Sequence, residues 1–119
     1  MESEAILKLV VDALDDMKGN DIQTLAVGDI SSIADYMVIA SGTSNRHVKS
    51  LAENVELEAK KQGLRAIGVE GADSAEWILV DLGGVIVHIM LPATRAFYDL
   101  ESLWTLKPQQ AEEDSPEDE

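Results

Sequence analysis

The sequence predicts an α/β domain, a mixed five-stranded sheet with flanking helices, and three features carry that expectation. Trp77-Ile-Leu-Val-Asp-Leu82 and Val85-Ile-Val-His-Ile-Met90 are β-rich runs joined by Gly83-Gly84, and two glycines suit the positive φ angles of a tight type I′ or II′ hairpin turn. Tyr36-Met-Val-Ile-Ala40 is a short continuous apolar run, as expected of a central strand buried on both faces. Apolar stripes at helical spacing, Ile6, Val10, Ala13, Leu14, Met17 and Val48, Leu51, Ala52, Val55, Ala59, mark two amphipathic helices that can cover a sheet.

Taken in order, Ser3 is expected to cap a helix reaching about Lys18, with Gly19 as its stop. Residues 20–29 read as a first strand. Ser41-Gly42 ends the Tyr36 strand, and Thr43 or Ser44 caps the longest helix, which runs to about Gln62 before Gly63. Leu64 to Val69 is a further extended run, and residues 70–76 are a polar connection into the hairpin. Pro92 sits near the start of a last helix expected to reach Trp104, with Phe97, Leu100 and Trp104 recurring on one side. From residue 107 to 119 the chain reads as a disordered acidic tail, dispensable for folding, so the folded domain is expected to span 1–106.

Hairpin arithmetic gives the register. With Gly83-Gly84 as the loop, Leu82 faces Val85, Leu79 faces His88 and Trp77 faces Met90. Directly opposite residues share a face. One face therefore holds Ile78, Val80, Leu82, Val85, Val87 and Ile89, all aliphatic and suited to a core. The other holds Trp77, Leu79, Asp81, Ile86, His88 and Met90, where a carboxylate and an imidazole are costly to bury without partners. That face is either covered by a helix or is a binding surface. On the second reading the contact residues are Trp77, Leu79, Asp81 and His88, all within reach of one another, bordered by Tyr98 and Glu101 of the last helix. Asp81 or Glu101 would then receive an Arg or Lys from the partner.

Composition narrows the function. There is no cysteine, which excludes disulfides and thiolate metal sites. No apolar run is long enough to span a bilayer, and the start, Met-Glu-Ser-Glu, is unlike a signal or transit segment, so a cytoplasmic protein is expected. The formal net charge is −14. Thr105 to Glu119 carries six acids and one Lys, so it contributes −5 and leaves −9 on the body. That balance argues against binding nucleic-acid phosphates directly and favours a basic protein partner. Asp12, Asp15 and Asp16, crowded at one helix end, read most simply as a solvated face.

The motifs of catalysis are missing. Nucleotidyl transfer needs strand-borne carboxylates to hold two metal ions. Ser41-Gly42 resembles half of such a signature, yet no Asp-x-Asp follows, and Glu56-x-Glu58 lies on a helix where i and i+2 diverge. His47 and His88 are the two histidines, and both read as structural or surface residues rather than catalytic ones. The glycines form neither a dinucleotide fingerprint nor a P-loop, so no cofactor is expected.

Four separated blocks resemble a known family. Ala34-Asp-Tyr-Met-Val-Ile-Ala-Ser-Gly42 followed by Ser44-Asn-Arg-His-Val-Lys49, then Glu70-Gly71, then Trp77 to His88, then Arg95-x-Phe-Tyr-x-Leu-Glu-x-Leu-Trp104 are similar to the signature of the Iojap-like ribosomal silencing factors (RsfS). The resemblance runs from about Leu14 to Trp104, with Met37 and Gly84 standing where Phe and Asp or Asn are usual. It implies a fold like the nucleotidyltransferases without their catalytic carboxylates, and no enzymatic activity. It also implies a partner, the large ribosomal subunit, contacted through its ribosomal protein number fourteen. Occupying that site blocks joining of the small subunit and silences translation under nutrient limitation, with a linked role in large-subunit biogenesis. The bound form is expected to be a monomer, with homodimerisation open to the free form. A small metal-dependent nucleotidyltransferase is the competing reading, and a self-associating module a third.

Overall fold

In the computed structural model, residues 1–29 and 32–102 are described. The order is α1 (Ser3–Asp16), β1 (Asn20–Ala26), β2 (Tyr36–Ser41), α2 (Asn45–Lys61), β3 (Gly68–Glu70), β4 (Trp77–Asp81), β5 (Val85–Met90) and α3 (Pro92–Tyr98). The five strands form one sheet in the order β1-β2-β5-β4-β3. β2 and β5 pair in parallel, and the remaining neighbours are antiparallel. This is the mixed sheet that the sequence predicts.

The hairpin register is the expected one, from Trp77↔Met90 through Leu79↔His88 to Asp81↔Ile86. Gly83 lies at φ +92° and the Leu82 N–H donates to the Val85 carbonyl at 2.9 Å. A positive φ at the first loop position alone is the type II′ pattern. The Asp81 carboxylate accepts the Gly83 N–H at 2.9 Å and braces the turn.

The aliphatic face is the core. Ile78, Val80, Leu82, Val85, Val87 and Ile89 are buried beneath Ile6, Val10, Ala13 and Leu14 of α1 and Val48, Leu51, Ala52, Val55 and Ala59 of α2. Met17, expected in the α1 stripe, is exposed because the helix has already ended at Asp16. The two helices are cross-linked by Asn54, whose amide donates to the Ala13 carbonyl at 2.8 Å. Ser44 caps α2 as expected, accepting the His47 N–H at 3.1 Å. Ser3 does not cap α1. Glu2 holds the cap position without a side-chain bond, and the Ser3 hydroxyl donates to Asp35 at 2.5 Å, pinning α1 to the approach of β2.

Two elements differ from expectation. The strand expected over Leu64–Val69 is shifted and shortened to Gly68–Glu70, paired with Leu79 to Asp81. β4 ends at Asp81, just before the Gly83 turn, so the pairing closes with the Ile67 N–H donating to the Asp81 carbonyl at 2.7 Å. α3 stops at Tyr98 because Asp99 turns into the left-handed region at φ 48°, ψ 51°. Helical backbone resumes over 100–102. Trp104 and the acidic tail lie outside the described residues.

Gly71 fixes the entry to β4. Its φ is +89°, and a Cβ there would stand 2.0 Å from the Trp77 carbonyl oxygen. Gly71→Ala therefore combines backbone strain with a backbone clash. It should cost at least about 2 kcal/mol of stability, seen as a lowered urea midpoint at unchanged m-value.

Candidate functional site

The second face of the sheet has one row of residues at a common end. Trp77 pairs with Met90, Met90 with Ser41, and Ser41 with Asn20. The chain leaves this end at Leu91 and turns into α3, which Pro92 opens. α3 therefore lies across the row, but it has only seven residues and none of them is buried.

Arg95 holds it there. Its Nη1 donates to the Ser41 hydroxyl at 2.9 Å, and its Nη2 donates to the Asp21 carbonyl at 2.7 Å. Nε and Nη2 both donate to Glu101 Oε2, at 3.0 and 2.7 Å. This nearly buried guanidinium links β1, β2, α3 and the segment after it, with its charge matched by Glu101. Sequence reasoning missed it. Arg95 and Glu101 are six apart, a spacing that does not meet on a helix, and only the turn at Asp99 brings them together. Ser41, the residue suggestive of nucleotidyl transfer, is buried with its hydroxyl taken by Arg95.

Beneath this clamp Val27, Met37, Ile39 and Met90 form a second small core, packed against Leu25, Trp77 and Leu100. The mixed face is thus partly covered and partly open. Trp77 lies at the boundary, half-buried. Its indole N–H donates to Nδ1 of His88 at 3.0 Å, and its ring stands 4.7 Å, centroid to centroid, from Tyr98. Phe97 meets Tyr98 edge to face at 5.0 Å. Tyr98 is 50 % exposed and Phe97 81 % exposed. The result is a run of three aromatics from the sheet outward, increasingly exposed along its length.

The expected contact residues separate into groups. Trp77, His88 and Tyr98 come together. Leu79 is half-buried opposite His88 on the next rung. Asp81 is not within reach of Trp77: four residues at about 3.3 Å each put it about 13 Å along the strand, beside the turn. Glu101 is engaged with Arg95 inside the protein, so of the two carboxylates Asp81 is the one that no cation among the described residues pairs with. His88 is only 6 % exposed, which places it behind the surface rather than on it. Phe97, assigned from the sequence to the apolar side of the last helix, is instead the most exposed aromatic of the face. The break at Asp99 ends the periodicity on which that assignment rested.

The other histidine is structural. His47 Nδ1 accepts the Thr43 N–H at 2.9 Å, so Nε2 carries the proton and donates to the Met17 carbonyl at 2.8 Å. The ring ties the start of α2 to the end of α1.

All of residues 1–119 match the family model described as ribosomal silencing factor during starvation, RsfS. The chain belongs to the RsfS family. It is similar to the ribosomal silencing factor RsfS of Chromobacterium violaceum, 48 % identical over 104 residues that cover 87 % of this chain and 85 % of the relative. A crystal structure of a protein from the same organism superposes with a TM-score of 0.86 at 48 % identity, covering 87 % of each chain. A mouse protein named for mitochondrial assembly of the ribosomal large subunit is 36 % identical over 121 residues, 94 % of this chain and 53 % of the relative. Among the described residues no helix is long and apolar enough to cross a membrane.

In this RsfS-family chain, burial pushes the His88 imidazole down to about 4 from its ordinary 6.5. It is neutral at pH 7, as its role of acceptor for Trp77 requires. The unfolded chain takes up a proton near pH 6.5 that the folded chain refuses until about 4. His88 thus costs no stability above 6.5, and its penalty grows as pH falls through that window. Between pH 7 and 4.5 the wild type should lose about 2–3 kcal/mol more unfolding free energy than His88→Leu, the carboxylates being common to both. Urea titrations of the pair at the two pH values measure the difference.

Proposed function

We propose that this chain is a non-enzymatic ribosomal silencing factor that acts by occlusion in the cytoplasm. It binds the large ribosomal subunit through ribosomal protein number fourteen and stands where the small subunit would join. Translation is repressed when nutrients are scarce, and the same attachment serves large-subunit biogenesis. Membership of the RsfS family supports the silencing role. The name of the mouse relative supports the link to assembly of the large subunit.

The observation that carries the contact is the open aromatic run Trp77–Tyr98–Phe97. Aromatic side chains bury large rigid area at small entropic cost and dominate interface energetics. Leu79 extends this apolar surface along β4, and Asp81 offers a carboxylate to an Arg or Lys of a basic partner. Occlusion needs no reacting group, only a firmly held body at the joining face, and the chain binds as a monomer.

Phe97 gives the cleanest test, because it is 81 % exposed and supports little of the fold. Phe97→Ala should leave stability within about 0.5 kcal/mol while costing about 1–2 kcal/mol in affinity for isolated large subunits. Sedimentation with separated subunits reads this out. A variant that binds at full strength removes the aromatic run from the contact. A wild-type protein that sediments with neither subunit, yet turns over labelled nucleotides with Mg²⁺, puts a small nucleotidyltransferase in place of a silencing factor.

Salt should slow association more than it speeds release, because an acidic protein meets a basic one and long-range attraction acts on encounter. Between about 50 and 300 mM salt the screening length falls from about 14 to 6 Å, and stopped-flow on-rates should fall with it. An on-rate independent of salt contradicts a basic partner.

A further inference from the structure

We propose that His88 is a positioning residue for the aromatic face: its Nδ1 holds the indole N–H of Trp77, sets the ring against Tyr98, and never itself touches the partner. The inference rests on the reading of that face as the contact surface, and it assigns the residue that shapes the surface from behind.

The geometry has three parts. His88 and Trp77 lie on adjacent strands, two rungs apart, since Trp77 pairs with Met90 and His88 with Leu79. Diagonal neighbours on one face of an antiparallel pair lie within reach of aromatic side chains. Here the contact is a hydrogen bond of 3.0 Å with the two rings 5.8 Å apart and inclined at 49°. An indole N–H is a donor only, and the imidazole can accept at Nδ1 only with its proton on Nε2. The bond therefore fixes the tautomer of one ring and the rotation of the other. A half-buried Trp without it would keep its packing against the small core that contains Met90 but lose the hydrogen bond that fixes its ring.

That orientation has a consequence for recognition. With its one donor engaged inside the protein, Trp77 presents only its ring to a partner. The contact it makes is then apolar, or a cation over the ring face, and polar recognition falls to Tyr98 and Asp81. His88, at 6 % exposed, has too little surface to add a contact of its own.

Substitution at 88 separates an acceptor from mere filling of space. Asn places Oδ1 where Nδ1 of the imidazole stands, whereas Leu fills similar space with no acceptor. In the wild type, a scalar coupling across the N–H···N bond between Trp77 Nε1 and His88 Nδ1, with the nitrogen shift of an unprotonated Nδ1, is expected by NMR. The Trp77 indole signal is assigned by its loss in Trp77→Phe. In His88→Leu its hydrogen exchange should quicken about tenfold or more, and His88→Asn should hold it within about threefold of wild type. Binding to isolated large subunits should follow: about tenfold weaker for Leu and largely restored for Asn.

No coupling and a protonated Nδ1 in the wild type overturn the proposal whether or not either variant folds. A folded His88→Leu protein with wild-type exchange and binding overturns it too, as does a folded His88→Asn protein as impaired as Leu. If instead Trp77→Ala binds large subunits at full strength, the aromatic face falls as the contact, and with it the role assigned to His88. Loss of binding in Trp77→Ala beside full binding in His88→Leu keeps the face and removes His88 alone.

Discussion

One constraint governs this fold: the sheet has two unlike faces and, among the described residues, two long helices to cover them. α1 and α2 both pack on the face formed by Ile78, Val80, Leu82, Val85, Val87 and Ile89, because that surface contains no polar atom to leave unsatisfied. Once they are placed there, the cover of the opposite face among the described residues comes from α3 and residues 99–102. A parallel pair such as β2 and β5 calls for cover on both sides. Leu100, above Met37, Ile39 and Met90, supplies it at the centre of the sheet. Trp77 and Leu79 on β4 fall at the margin, half-covered. The open aromatic surface therefore follows from how the apolar residues are apportioned between faces.

The cover is held by polar contacts rather than by area. No residue of α3 is buried, so hydrophobic burial contributes little to keeping it in place. Arg95 substitutes for it, donating to one carboxylate, one hydroxyl and the backbone of β1. A guanidinium taken out of water is costly unless its charge is met and its donors are satisfied, and here Glu101 and the strand ends do both. Such a clamp accepts few alternative poses, whereas a greasy contact would allow sliding. The same reasoning applies one layer down, where a neutral imidazole, not a charged one, accepts the hydrogen bond of the Trp77 indole N–H.

What the sequence disclosed and what it withheld divide along a physical line. The hairpin register was legible because a two-glycine loop leaves one way to count, and β-strand periodicity then assigns every face. The helical stripes were legible because α1 and α2 bury a single side; Ser44 showed as a cap because its preference is local. β3 was misplaced because the length of a strand depends on where its partner ends, which no local pattern reports. Phe97 and Glu101 were misread, and the Arg95–Glu101 pair was missed, from one cause. A single left-handed residue, Asp99, breaks the helix, and beyond it the helical spacing that linked these side chains no longer applies. Asp81 was grouped with Trp77 because both share a face, but face assignment says nothing about distance along the strand.

The distribution of charge completes the physical case for the surface. Asp12, Asp15, Asp16 and Glu53 are exposed on the helical layer, on the side of the sheet away from Trp77. A helix layer stands about 10 Å from the sheet it covers, which already exceeds the screening length of about 8 Å at physiological ionic strength. Those carboxylates can bias the approach of a basic partner, but they do little for the bound contact, and none must be stripped of water when the aromatic face is covered. Among the described residues, the ion pair near that face, Arg95–Glu101, is already closed upon itself. On the proposed reading, a partner docking on Phe97, Tyr98 and Trp77 would gain apolar burial, and Asp81 is the carboxylate of that face it would have to desolvate and pair. On that reading the carboxylates of the helical layer would act on approach, and the aromatic face with Asp81 on contact.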